Sequence, residues 1–126
     1  MRKEIENWWL QAKNDLQKAE VLFKSGHLDG CAFFCQQSVE KGLKSFILSK
    51  TREKIIEGHS LIALGKTAGV PETFFPGLKK LSPHYFLSRY PDVTEDVPYE
   101  LYDQKNTLEL LHLARGIVRW ISQQIE

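Results

Sequence analysis

Residues Cys31 to Leu48 read CAFFCQQSVEKGLKSFIL, and their spacing predicts an amphipathic helix rather than a strand. Leu28, Cys31, Cys35, Val39, Gly42, Leu43 and Phe46 recur at three- and four-residue steps, which lays one apolar stripe along a helix that fades near Lys50. At 100° per residue, Phe33, Gln37, Glu40 and Lys44 fall into a second, polar row, flanked by Gln36 and Lys41. Just upstream, Ile5, Trp8, Trp9, Ala12, Leu16, Ala19, Leu22 and Phe23 mark another apolar stripe from about residue 3 to 24, stopped at Ser25-Gly26. So short a break between two long helices makes them antiparallel neighbours. That hairpin decides the fold class.

The rest of the chain continues the pattern. Thr51 to Gly58 is a charged connector, and a short helix is expected over about 60–68, closed by Gly69 and Pro71. Pro76 and Ser82-Pro83 mark helix starts, giving pieces over about 72–81 and 83–90. Arg89-Tyr90-Pro91 ends the second piece, because a residue before proline avoids the helical region. An acidic loop, PDVTEDVPYE, precedes a last helix from about Asp103 to Gln124 with Leu108, Leu111, Ala114, Ile117, Val118, Ile121 and Ile125 on one face. No strand-like alternation, repeat or low-complexity tract is present. The expectation is a single all-α domain over residues 1–126, a bundle of about five helices: an up-down long pair, short helices and a long C-terminal helix.

Leu16, Val39, Leu43, Leu111 and Ile117, at the centres of their stripes, are expected among the most buried positions. With 126 residues, 42% hydrophobic and 26% charged, the chain fits one soluble globular core. A formal net charge of +1 gives no bulk field to attract nucleic acid or an acidic membrane. The apolar runs fall far short of the about 20 residues that span a bilayer, and the charged N-terminus is unlike a signal peptide. A cytoplasmic address is expected. Cys31 and Cys35 sit one helical turn apart, where a disulfide constrains almost nothing, so reduced core thiols are expected and no metal cage is indicated.

Several groupings have chemical potential. Glu40 precedes Lys44 in the favourable order for an i,i+4 ion pair, so the polar row is either a solvated face or an anion site, and Phe33 within it implies that something covers that face. His59, just before a helix start, is a cap or packing residue, or a contact for an anion. Arg89, Tyr90 and Asp92 either tie down a loop or offer a guanidinium for phosphate beside a ring that stacks on a base. His112, Arg115 and Arg119 form an outward basic stripe on the last helix, with Leu113 and Trp120 beside it as an apolar strip suited to a protein partner.

Taken together, the helix WWLQAKNDLQKAEVLF, the Phe-x-x-Gln-Gln-x-x-Glu-Lys-x-x-Lys signature at Phe33 to Lys44, His59-Ser60-Leu61 and Arg89-Tyr90-Pro91-Asp92 resemble the HEPN family over nearly the whole chain. The resemblance implies a helical bundle that pairs as a homodimer, nucleotide binding, and association with a minimal nucleotidyltransferase as in toxin–antitoxin pairs. Some branches of that family are metal-independent ribonucleases with an Arg, four to six residues and a His near the start of the last helix. Here the next His after Arg89 is His112, outside that spacing, and the literal Arg-x6-His at Arg52 to His59 lies in the connector.

The leading expectation is a non-catalytic nucleotide- or nucleotidyltransferase-binding module, needing no cofactor, whose contacts are Gln37, Glu40, Lys41, Lys44, His59, Arg89, Tyr90 and Asp92. An RNA-cleaving toxin and a purely structural dimer are the alternatives.

Overall fold

In the computed structural model, residues 1–51 and 57–126 are described, with only the backbone at Thr94. Helix α1 (Lys3–Lys24) turns back into α2 (Leu28–Lys50). The turn works because Gly26 takes a left-handed φ of +83°, which lets His27 N–H bond back to Leu22 O at 2.9 Å. Helix α3 (Leu61–Ala68), a 3-10 turn at Glu72–Phe74 and α4 (Phe75–Leu81) follow, then α5 (His84–Leu87), α6 (Pro91–Thr94), a second 3-10 turn at Pro98–Leu101 and α7 (Gln104–Ile125). No strand occurs among the described residues. The Arg52 half of the Arg-x6-His spacing lies outside them.

Helix α2 runs through the middle. Helices α1 and α7 pack along it and against each other, α3, α4 and α5 meet it as well, and α4 also touches α7. Fourteen of its 23 residues are buried, which is more than one apolar stripe can supply, so its polar row must be covered as well. Close approach of α7 depends on Gly42: a Cβ there would stand 3.0 Å from Ile121 Cδ1. Val39, Leu43, Leu61, Leu78, Leu81, Leu111, Ile117 and Ile121 form the centre of the core. Cys31 and Cys35 are free buried thiols, and the hydrogen bond that Cys35 donates to Cys31, together with burial, holds Cys35 well above its ordinary pKa.

Four expectations shift. Leu16 is only half-buried, because α1 is rotated so that Asp15 faces α2 and is fully enclosed. Leu108 is exposed while Thr107 and Leu110 on either side of it are buried, so α7 is rotated from the expected stripe at its N-terminal end. Trp120 and Leu113 do not form an outward strip: Trp120 packs edge-on against Phe46 and Phe74 (5.4 and 5.6 Å), and Leu113 lies over Gly77. The stretch after Arg89 is not all loop, because Pro91 and Pro98 each open a helical turn.

Candidate functional site

Glu40 organises the polar row of α2. Its Oε2 accepts from Lys44 Nζ at 3.1 Å, and its Oε1 lies 2.9 Å from His59 Nδ1. Gln36 Nε2 donates both to Glu40 Oε1 and to the His59 carbonyl, each at 3.1 Å, so it pins His59, just ahead of α3, to α2. Gln37 Nε2 donates to Gln36 Oε1 at 2.8 Å and reaches Glu40 Oε1 at 3.5 Å. Glu40 is 3% and Lys44 7% exposed, and the Lys44 ammonium also lies 5.4 Å from the Trp8 ring centre. A buried carboxylate and ammonium are tolerable only when paired and hydrogen-bonded, as these are. The row is therefore not a solvated face.

Lys41 is directed elsewhere. It bonds Asp15 at 2.6 Å, Asp15 also accepts from Gln11 Nε2 at 2.8 Å, and the pair clamps α1 to α2. His112 stays exposed on α7, and Arg115 pairs with Glu20 at 2.7 Å beside a groove of about 470 Å³ that also includes Trp9, Lys13 and Arg119. None of these joins the Glu40 network.

His59 and Arg89 do come together, through a residue the sequence reading missed. Tyr85 on α5 stacks on the His59 ring at 3.8 Å and 13°. Arg89 lies one turn beyond Tyr85; its Nε donates to Tyr85 O at 3.1 Å. Its guanidinium carbon sits 4.5 Å from the Phe33 ring centre, 4.5 Å from Tyr85 and 4.7 Å from Tyr90. Phe33 is thus covered by α5 and Arg89. The i,i+4 spacing of Tyr85 and Arg89 was the available signal, since it places both on one helix face.

This arrangement has definite chemical capacity. With Nδ1 against a carboxylate, the neutral His59 ring carries its proton on Nδ1 and leaves Nε2 as the basic nitrogen. The His59 side chain is 43% exposed. Arg89 and Tyr90 are exposed next to it, and Asp92 is exposed in the first turn of α6. With only its Nε bonded to a backbone carbonyl, the exposed Arg89 guanidinium has N–H donors left for an oxyanion. No cluster of three His, Cys, Asp or Glu side chains able to hold a metal occurs among the described residues. No helix among them is long and apolar enough to cross a membrane.

Comparison with known proteins bears on the fold. The HEPN domain family matches residues 5–125. The crystal structure of TT1696 from Thermus thermophilus superposes with a TM-score of 0.88 at 27% identity, covering 98% of this chain and 100% of that one. ST0689, described as an archaeal HEPN homologue, gives 0.83 at 32% identity, covering 99% and 100%. No curated protein matches the sequence.

Proposed function

This chain belongs to the HEPN domain family, and on that premise we propose that it is a non-catalytic nucleotide-binding module with its anion site at Arg89 and His59. Arg89 takes the phosphate through its fork of N–H donors, and His59 adds a polar contact. Tyr90 offers a face to the base, with Gln37 and Asp92 at the margin. Glu40, Gln36 and Lys44 act one step back by fixing His59, and Lys41 holds the helical hairpin. The observation that carries this reading is the Arg89 guanidinium lodged over three rings beside a His59 oriented by a buried carboxylate. Pairing as a homodimer, a nucleotidyltransferase partner and a cytoplasmic setting belong to the same family-based reading. Phe33, Leu113 and Trp120 lend the homodimer no support, because they pack within the chain.

Calorimetry with ATP and GTP tests the site. Replacing Arg89 with Ala removes a charge-assisted bond of about 1.5–3 kcal/mol, so affinity falls about tenfold or more, while helicity is unchanged. Rising salt narrows the difference. Equal affinity in the two proteins, or no nucleotide binding by the wild type, overturns the reading.

A second reading, metal-independent RNA cleavage, is favoured by one specific feature. A carboxylate-oriented imidazole beside a guanidinium is a pair fit for proton transfer and charge stabilisation. Cleavage of single-stranded RNA in a chelator, abolished by His59→Ala, would place it first.

A further inference from the structure

One strap of the molecule, beyond the Tyr90 and Asp92 that the nucleotide reading uses and the Pro98 and Tyr102 that anchor it to the core, has no role in either. Between Arg89 and Lys105 the chain carries Asp92, Glu95, Asp96, Glu100 and Asp103 and no Lys, Arg or His. The same strap turns apolar side chains outward: Val93 is 50% exposed, Val97 48%, Tyr99 63% and Leu101 40%, continuing onto Phe86 and Tyr90. Of the ten large apolar side chains exposed among the described residues, these are six.

The exposure is not a frayed loop. Ser88 is buried at one end with its hydroxyl on His84 O. At the other, Pro98 is buried and the Tyr102 hydroxyl sits 2.6 Å from His84 Nδ1. Pro91 and Pro98 stiffen the backbone between these anchors. A rigid strap that shows apolar side chains interleaved with the exposed carboxylates of Asp92, Glu95 and Glu100 has the make-up of an interface: apolar anchors within a charged surround. Its charge selects the occupant. Nucleic acid and anionic bilayers are repelled, and an uncharged apolar surface leaves the carboxylates uncompensated. We infer that the strap over residues 90–103 docks a protein partner whose apolar contact surface is rimmed by Lys and Arg. The inference stands apart from the nucleotide reading, because the strap would attract a basic partner whether or not Arg89 binds phosphate.

The probe is an amphipathic helical peptide of Leu and Lys, with a Leu and Glu peptide as control, titrated into the isotope-labelled protein and followed by amide NMR shifts. The expected result is saturable binding of the Lys peptide, with shifts centred on residues 90–103 and weakening as salt rises. Val97→Ser with Tyr99→Ser should lower affinity about tenfold, whereas Val21→Ser, an exposed apolar position on α1, should change nothing. Circular dichroism must show both variants folded. Three results overturn the inference: equal binding of the Glu peptide, shifts centred elsewhere, or light scattering in which the strap variant converts a dimer into a monomer. The last means that a second copy of the chain, not a basic partner, covers this face.

Discussion

Lys44 and Arg89 look interchangeable in the sequence, each a cation near aromatic residues and each a reasonable phosphate ligand. The fold treats them oppositely. Lys44 is enclosed, bonded to Glu40 and laid against Trp8. Arg89 stays at the surface, supported by rings and by a backbone carbonyl. The difference comes from their helices: α2 is surrounded on nearly every side, so any charge on it must find a partner inside, whereas Arg89 just follows a four-residue helix at the rim. A charge on the central helix is structural, and a charge at the edge of the bundle is free to meet a ligand.

The sharpest way to break this contrast is to remove Glu40. Glu40→Ala leaves the Lys44 ammonium buried without its partner and should cost about 3–5 kcal/mol, read as a fall in urea midpoint. Arg89→Ala, which loses exposed ring contacts and no buried partner, should cost only about 1 kcal/mol. Similar losses in the two variants would mean that α2 is more open to water than its burial indicates.

A smaller effect separates the two long helices. Leu43 is fully buried, and Leu43→Ala should cost about 2–5 kcal/mol. Leu16 is half-buried, so Leu16→Ala should cost roughly half as much. Equal costs would show that α1 is turned with Leu16, not Asp15, toward α2.

The smallest effect distinguishes the two histidines beside Tyr85. His59 is half-exposed, whereas burial lowers the His84 pKa from its ordinary 6.5. Burial also pushes the Tyr102 hydroxyl up, so Tyr102 donates to a neutral His84. The folded chain therefore holds fewer protons at His84 than the unfolded one. Its contribution to stability is complete above about pH 6.5 and is lost as pH falls below that value toward the folded pKa. Unfolding midpoints at pH 7.5 and pH 5 should differ more for the wild type than for His84→Asn.

The hairpin and the long last helix were legible because their apolar periodicity spans many turns, and local spacing suffices to define it. The burial of Asp15 in place of Leu16 was hidden, because hydropathy scores a carboxylate as exposed and takes no account of Lys41 arriving from α2. Glu40, Lys44 and His59 could be named in advance but not assigned. Whether they face water depends on where α1, α5 and the lead-in to α3 lie, and no spacing within α2 carries that. Tyr85 escaped attention because an aromatic on a short helix, next to Phe86, resembles a packing residue until its contacts with His59 and Arg89 are seen.

The tight turn at Gly26 also bears on the order of assembly. The α1–α2 hairpin closes through contacts between sequence neighbours, which form quickly. The His59–Tyr85–Arg89 cluster needs α5 to reach Phe33 across a long stretch of intervening chain, so its loop-closure entropy must be met first. Helicity should thus develop before this cluster assembles. A ligand that requires both Phe33 and Tyr85 recognises only the finished fold and, by mass action, draws the population toward it.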